Sequence, residues 1–293
     1  GQSAAGHGFP GAAGPGDAVR IFTGAPLPEG TDAIVIQEDC SFDEASVTVH
    51  DGGAPDKAHV RAKGYDFAEG QPLIDAGRRL TSRDITLAAA AGYPDLAVRC
   101  RPVVALLATG DELVLPGVPT GPDQIVCSNP FGIAAIVRRA GGLPKFLGIA
   151  KDDKADLAAK FSGAHDADIL LTIGGASVGD HDLVGPVLAD MGMDLAFWRI
   201  GMRPGKPLMS GRLGQLHVLG VPGNPVSSMV CARIFLVPLI HALLGLPDDT
   251  ARPVTVEAGV KIEANGPRQH YMRATQTVTP DGRVLVTPVA SQD

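Results

Sequence analysis

Residues 168–182 (DILLTIGGASVGDHD) join an apolar segment directly to a glycine-rich loop that ends in carboxylates. The apolar part, residues 169–173, is typical of a strand buried on both faces of a parallel sheet. The glycines allow positive φ angles and close approach of the backbone to a ligand, and consecutive amides in such a loop can bind phosphate. Ser177 adds a hydroxyl, while Asp180 and Asp182 are oxygen ligands of the kind that magnesium prefers. An ordinary strand-to-helix turn is the alternative, but the hydroxyl and the two carboxylates favour a ligand site.

The composition excludes several classes of protein. The chain has 293 residues, of which 45% are hydrophobic and 19% charged, so it can bury more than one core. Its net charge of -7 and the lack of a dense basic block argue against nucleic acid or an anionic membrane as a partner. The four cysteines contain no C-x-x-C pair, and no stretch resembles a membrane span of roughly twenty uninterrupted apolar residues. These features predict a cytoplasmic protein.

The pattern of elements along the chain predicts four parts. Short β-rich runs between Gly, Pro and Asp clusters indicate a small β-rich domain at residues 1–69, and a capped helix marks a connecting subdomain at 70–100. Strands and helices alternate through residues 101–247, which is typical of an α/β domain. β-like segments follow at 248–293 and predict an incomplete C-terminal β-domain. The predicted fold class is α/β plus β: a doubly wound, mostly parallel three-layer sheet domain with small flanking β-rich domains, in an elongated multidomain chain.

A second strand-to-helix junction is predicted near the end of the α/β domain. The strand at residues 216–221 leads into Pro-Gly-Asn-Pro, where Asn224 suits the N-cap and Pro225 the first helical position. The apolar helix should kink near Pro238 and stop at Gly245.

Two acidic loops follow predicted strands, where open parallel sheets place their ligands. Residues 109–113 (TGDEL) offer the hydroxyl of Thr109 and the carboxylate of Glu112, although a solvated acidic turn is an equal alternative. Residues 151–153 include Asp152, which can face the site or act only as a helix cap. A shared site predicts that these side chains lie together.

A third loop, residues 198–207, carries three cations on a backbone stiffened by Gly and Pro. Its cations are Arg199, Arg203 and Lys206, with Pro204 between the last two. Arginine can hold an oxyanion through two parallel N–H donors, whereas lysine acts as a point charge. The stiff backbone favours oxyanion binding over a merely solvated face.

Six blocks in matching order resemble the molybdopterin molybdotransferase family, which includes MoeA and the gephyrin E-domain. The blocks are residues 18–30 (AVRIFTGAPLPEG), 37–39 (QED), 109–113 (TGDEL), 174–180 (GGASVGD), 203–207 (RPGKP) and 222–227 (PGNPVS). The resemblance implies an enzyme that inserts molybdenum from molybdate into adenylylated molybdopterin and releases AMP with the help of Mg²⁺. It also implies a homodimer, and a molybdopterin adenylyltransferase as a further partner.

The resemblance also implies roles for individual residues. The implied catalytic residues are Asp182, Glu112, Asp152, Arg199 and Arg203. The residues implied to bind the substrate molecules are Thr23, Asp66, Thr109, Ser177, Pro204, Lys206, Asn224, Ser227 and Arg273. The implied magnesium ligands are Asp182, Asp180 and Glu112. Thr23 and Asp66 match positions that face the site across the dimer.

The sequence departs from the family pattern in a few places. Arg199 and Arg203 stand where many members have lysine, and Cys127 replaces a more usual acidic residue. An upstream acidic segment and a downstream serine of the family's site are expected beyond the two ends of the sequence. Two other functions stay open: a molybdopterin-binding scaffold of the same fold without catalysis, and a molybdopterin adenylyltransferase. Retention of Asp182, Glu112 and Arg203 together favours the molybdenum-inserting enzyme.

Overall fold

The computed structural model describes residues 1–175, 182–247 and 254–290, and the chain divides into two compact units, Gly1–Ile74 and Asp75–Asp293. The first unit contains strands β1 (Gln2–Ser3), β2 (Arg20–Ile21), β3 (Cys40–Phe42) and β4 (Val47–Val49), and 3₁₀ helices at Gln37–Asp39 and Lys57–His59. β1 pairs with β2 in parallel, and β3 with β4 in an antiparallel hairpin. Within residues 33–37, Ile34 forms an isolated antiparallel bridge with Asp56.

The second unit contains the helices and the main sheet. Its helices are α1 (Ser82–Ala90), α2 (Asn129–Ala140), α3 (Lys154–Ser162), α4 (Val184–Asp190), α5 (Pro225–Cys231) and α6 (Val237–Leu244), with a π-helical turn at Ala232–Leu236. Its strands are β5 (Val103–Thr109), β6 (Leu113–Val114), β7 (Ile125–Val126), β8 (Leu143–Ala150), β9 (Ile169–Ile173), β10 (Asp194–Trp198), β11 (Met202–Arg203), β12 (Met209–Leu213), β13 (Leu216–Val221), β14 (Glu257–Ala258), β15 (Gln269–His270), β16 (Ala274–Val278) and β17 (Val284–Pro288).

Six strands form one mixed sheet in the order β10-β12-β13-β9-β5-β8. β13, β9, β5 and β8 run parallel, whereas β12 is antiparallel to both of its neighbours. The sequence analysis predicted the parallel strands but neither β10 nor β12. Only two residues, Gly214 and Gln215, separate β12 from β13, and so short a loop joins antiparallel strands only.

Alternate residues of the central strands belong to two different hydrophobic clusters. Leu106 and Leu171 pack in a cluster that includes residues of α2 and α6. Leu107 and Leu170 pack in a second cluster, with residues of α3 and α4. Because successive side chains of a strand point to opposite faces, both faces of the central strands are covered, which explains their continuous apolar runs. The prediction of a mixed α/β chain with small β-rich parts is confirmed.

The segment Pro225–Leu244 is helical throughout and begins as predicted. The Asn224 side chain accepts a hydrogen bond from the backbone N–H of Ser227 at 2.9 Å, and Gly245, with φ of 69°, caps α6. By length and composition alone this segment is apolar enough to cross a membrane. Cys231, Leu236 and Ile240 are nevertheless fully buried in the sheet core, so its apolar face is used within the fold.

The hydroxyl of Thr172 in β9 is fully buried and has no hydrogen-bond partner among the described residues. An unsatisfied buried hydroxyl costs about 1–3 kcal/mol, whereas valine has nearly the same shape without the hydroxyl. We therefore expect Thr172→Val to raise the free energy of unfolding by about 1 kcal/mol, measured by urea denaturation. Thr275→Val on the exposed strand β16 is the control, and equal effects of the two substitutions would contradict the explanation.

Candidate active site

The four parallel strands end at one cavity of about 580 Å³. Thr109 is the last residue of β5, Asp152 follows β8, Gly174 follows β9, and Asn224 follows β13, and all four line the cavity. The carboxyl ends of parallel strands share one edge of a sheet, so residues that are far apart in sequence meet there. The structure thus brings together five of the predicted site residues, namely Thr109, Glu112, Asp152, Asp182 and Asn224.

The glycine pair after β9 allows the backbone to pass close to Thr109. Gly174 and Gly175 have φ of 95° and 61°, which side chains rarely adopt. A Cβ on Gly174 would lie 2.8 Å from the Thr109 carbonyl oxygen, and one on Gly175 would lie 2.5 Å from a methyl of Val184. The Thr109 hydroxyl is buried and has no partner among the described residues. It is therefore available to donate a hydrogen bond to a ligand in the cavity.

Asp182 is the carboxylate most affected by its surroundings. Burial is the main cause that raises the pKa of Asp182 to about 6; the backbone N–H of Val184 lowers this pKa in part, and the nearby Asp152 carboxylate contributes to the rise. The contact with that N–H does not have the geometry of a normal hydrogen bond. Both carboxylate oxygens of Asp182 are buried, and neither has a hydrogen-bond partner among the described residues. A buried carboxylate without donors is a site for a cation or for a proton shared with a ligand.

Glu112 and Asp152 are held on neighbouring loops of the cavity. The backbone N–H of Asp152 donates to Asp111 Oδ1 at 3.3 Å, and Gly110 N–H donates to the Ala150 carbonyl at 3.1 Å, so the loops after β5 and β8 are joined. The Glu112 carboxylate lies against Gly110, where a Cβ would overlap it.

The first turn of α2 also lines the cavity, although the sequence analysis gave it no role. Cys127, Ser128, Asn129 and Pro130 lie on this wall. The Asn129 amide donates to the Gly223 carbonyl at 2.7 Å and so joins the starts of α2 and α5. Burial, together with the Glu112 carboxylate, raises the pKa of the Cys127 thiol, which keeps it neutral. The signal that could have indicated this wall was Ser-Asn-Pro directly before the periodic apolar pattern of α2.

The cationic loop is an ordered turn, but its cations are not among the residues that line the cavity. Arg199, with φ of 71°, donates its backbone N–H to Leu208 at 2.8 Å, and β11 pairs with β15. A Cβ on the buried Gly205 would lie 2.5 Å from Cys231 Sγ at the end of α5. Because the start of α5 lines the cavity, this packing contact lies roughly 9 Å further along the same helix. Arg199, Arg203 and Lys206 are exposed, whereas Pro204 is buried.

The remaining predicted residues lie elsewhere. Ser227 is buried one turn into α5, and Arg273 borders an apolar groove beside α5. Thr23 and Asp66 are exposed residues of the first unit. Ser177 and Asp180 lie outside the described residues. Within the described ranges, no group of three or more His, Cys, Asp or Glu side chains forms a metal site, so the predicted magnesium site stays a prediction.

Comparison with known proteins identifies the family. Residues 2–92 match the model of the MoeA N-terminal region (domain I and II), and residues 105–242 match that of a probable molybdopterin binding domain. A molybdopterin molybdenumtransferase of Haemophilus influenzae is 32% identical over 278 residues, which are 94% of this chain and 68% of that protein. This chain belongs to the molybdopterin molybdenumtransferase (MoeA) family. The prediction of the family from its six sequence blocks is confirmed.

Other MoeA-family proteins extend the comparison. A molybdopterin molybdenumtransferase of Nostoc sp. is 37% identical over 263 residues, covering 88% of this chain. The chain spans 60% of the length of that relative. The crystal structure of a molybdopterin biosynthesis MoeA protein from Pyrococcus horikosii superposes with a TM-score of 0.81 at 29% identity, covering 99% of this chain and 71% of the other.

Proposed function

We propose that this chain is a transferase of molybdenum cofactor biosynthesis, which inserts molybdenum from molybdate into adenylylated molybdopterin and releases AMP. One observation carries the proposal: a buried, unpartnered Asp182 carboxylate shares a cavity with Glu112 and Asp152, at the carboxyl edge of the sheet. Related proteins that bear the name molybdopterin molybdenumtransferase support it. We also propose that the chain has the four predicted domains and that its α/β domain is a doubly wound, three-layer sheet.

The cavity is suited to a magnesium ion. Both oxygens of Asp182 are buried without a donor, and carboxylate oxygen is the ligand type that Mg²⁺ prefers. Asp182 and Glu112 would hold the ion together with Asp180, which lies outside the described residues. When bound, Mg²⁺ neutralises charge that develops on phosphate oxygens during cleavage of the phosphoanhydride.

The other proposed site residues have different roles, which follow from the chemistry of their side chains. The Asp152 carboxylate lies near Asp182 and contributes to the raised pKa of Asp182. Thr109, Ser177, Asn224 and Ser227 would bind the phosphates or the pterin through hydroxyl, amide and helix N-terminal groups. Arg199, Arg203, Lys206, Pro204 and Arg273 would form the molybdate side of the site. The two arginines of the turn suit a tetrahedral oxyanion, since each can donate two parallel N–H bonds.

The proposal predicts a molybdenum product that depends on magnesium. The full chain is incubated with adenylylated molybdopterin, molybdate and Mg²⁺, and protein-bound molybdenum and free AMP are measured. We expect equal amounts of both products, and loss of both when EDTA replaces Mg²⁺. Binding of molybdopterin without either product would instead identify a scaffold. Formation of adenylylated molybdopterin from molybdopterin and ATP would identify an adenylyltransferase.

The proposed enzyme is a cytoplasmic homodimer, in which Thr23 and Asp66 of one chain complete the site of the other. It receives its substrate from a molybdopterin adenylyltransferase. Light scattering should therefore report about twice the monomer mass of 30.2 kDa. Mixing Thr23→Ala chains with Asp182→Asn chains should restore part of the activity, because one of the two sites then has both native residues. A monomer at micromolar concentration would contradict the shared site.

A further inference from the structure

Asn129, the first residue of α2, joins two walls of the acidic cavity that are distant in the sequence. Its amide Nδ2 donates to the Gly223 carbonyl oxygen at 2.7 Å, and the two residues are 94 positions apart. A carbonyl oxygen can only accept a hydrogen bond, so this partner fixes the orientation of the amide. Both residues line the cavity, although neither binds substrate or metal in the proposed reaction. The bond therefore connects parts of the site without belonging to its ligands.

On one side, backbone hydrogen bonds tie Asn129 to the loop that carries Glu112. Strands β6 and β7 pair in parallel between the two residues. The backbone N–H of Ile125 donates to the Glu112 carbonyl at 2.8 Å, and the backbone N–H of Cys127 donates to the Val114 carbonyl at 2.8 Å. These bonds hold the start of α2 at a set distance from the Glu112 loop.

On the other side, Gly223 directly precedes the residue that caps α5. The Asn224 side chain accepts from the backbone N–H of Ser227 at 2.9 Å, and the Asn224 carbonyl accepts from that of Ser228 at 2.9 Å. A Cβ on Gly223 would lie 3.6 Å from Gly174 Cα, so the loops after β13 and β9 pass in van der Waals contact. A shift of Gly223 would therefore move the α5 cap against the glycine wall of the cavity.

We infer that Asn129 is a positioning residue, which holds the start of α5 at a fixed distance from the carboxylates of the cavity. The inference rests on the proposed function, in which Asn224 binds the substrate and Glu112 binds Mg²⁺. The cation and the substrate phosphates attract each other strongly only if the two walls hold them close together. Loss of the Asn129 hydrogen bond should weaken this attraction, while each ligand alone should bind as before because its own residues are unchanged.

Calorimetric titration with adenylylated molybdopterin measures this coupling, with and without Mg²⁺ and with molybdate omitted so that no molybdenum is inserted. In the unaltered chain, Mg²⁺ should strengthen substrate binding by about 5- to 150-fold, the usual range for two coupled sites. Asn129→Ala should reduce that factor by about 2- to 10-fold, the range for one lost hydrogen bond. A merely structural role would instead weaken the binding of each ligand alone and leave the factor unchanged.

Two further variants control for side-chain volume and for the loss of an asparagine. Asn129→Leu keeps the volume but also lacks the donor, so it should behave as Asn129→Ala does. Asn265→Ala removes a matched bond, since Asn265 Nδ2 donates to the Arg268 carbonyl at 2.8 Å in an exposed segment. Asn265 is not among the residues that line the cavity, so this variant should keep the full coupling factor.

A second readout needs neither substrate nor magnesium. Hydrogen exchange of the Ser227 and Ser228 amides reports how firmly the start of α5 is held. Exchange of these amides should be about 2- to 10-fold faster in Asn129→Ala than in the unaltered chain, again the range for one hydrogen bond. Asn265→Ala should leave their exchange unchanged.

The outcomes separate this inference from the proposed function. An unchanged coupling factor in Asn129→Ala, or no coupling in the unaltered chain, would overturn the positioning role even if the chain inserts molybdenum. Unchanged hydrogen exchange in Asn129→Ala would also overturn it, because the start of α5 would then be held without this bond. Reduced coupling and faster exchange, on a chain inactive in the insertion assay, would support the positioning role while contradicting the proposed reaction.

Discussion

Asp182→Asn is expected to reduce molybdenum insertion and AMP release by more than about 100-fold. Replacing an outer partner of a metal ligand costs roughly 10- to 100-fold in affinity or activity, and loss of the ligand itself should cost more. Asparagine has the same size but carries no charge, so the substitution leaves the cavity shape intact. The loss should therefore appear in kcat and in magnesium affinity, measured in the insertion assay over a range of Mg²⁺ concentrations. Asp190→Asn, at the exposed end of α4, is the control and should retain full activity. Undiminished turnover of Asp182→Asn would remove this residue from the site.

The same variant has a second readout that is independent of activity. The pKa of Asp182 is about 6 in the folded protein, against about 3.9 for an unperturbed aspartate. The folded state therefore holds this proton more tightly, so stability falls as pH rises from about 4 to about 6. Asparagine cannot ionise and lacks that decrease. Thermal unfolding in EDTA should show similar Tm values for both proteins below pH 4 and a higher Tm for Asp182→Asn above pH 6. Parallel profiles across the whole range would show that the carboxylate is not destabilised by burial.

Gly174→Ala is expected to lower the free energy of unfolding by about 2–4 kcal/mol and to abolish substrate binding. Gly174 has φ of 95°, which is strained for alanine. In addition, the new Cβ would lie 2.8 Å from the Thr109 carbonyl oxygen, which is a steric clash. Strained backbone angles and overpacking each cost about 1–3 kcal/mol. Relief of the contact must separate β9 from the end of β5, which changes the wall of the cavity. Urea denaturation measures the loss of stability, and calorimetric titration with adenylylated molybdopterin measures the loss of substrate binding.

Gly192→Ala separates the effect of backbone strain from the effect of the steric clash with Thr109. Gly192 has φ of 92°, almost the same as Gly174, but no atom lies within 4 Å of a Cβ placed there. It follows α4, away from the residues that line the cavity. We expect a loss of about 1 kcal/mol from backbone strain and normal ligand binding. Equal stability losses at both positions would show that the contact with Thr109 contributes nothing.

Much of the acidic site could be predicted from the sequence, because each member has a local signature. Thr109, Asp152 and Asn224 each follow a recognisable apolar strand, and parallel strands bring such positions to one edge. The N-cap at Asn224 and the stop at Gly245 also follow from local rules, and both are present. The sequence analysis did not predict β12, because its sequence, MSGRL, contains a glycine and has little β propensity of its own. Its pairing with β13 stabilises this strand. The wall formed by Cys127 and Asn129 depends on the hydrogen bond that the Asn129 amide donates to Gly223, 94 residues away in the sequence, and local patterns do not show such a contact.

The sequence by itself determined the family, the alternation of strands and helices, and the set of polar residues at the strand ends, because these depend on hydrophobic period, capping and the order of motifs. Only the tertiary structure decided which of those residues share a cavity. Thr109, Glu112, Asp152, Asp182 and Asn224 meet there, whereas Arg199, Arg203 and Lys206 lie on a separate turn that packs against the far end of α5. The reason is that burial, and with it the raised pKa of Asp182, depends on the packing of distant segments, which spacing along a chain does not specify.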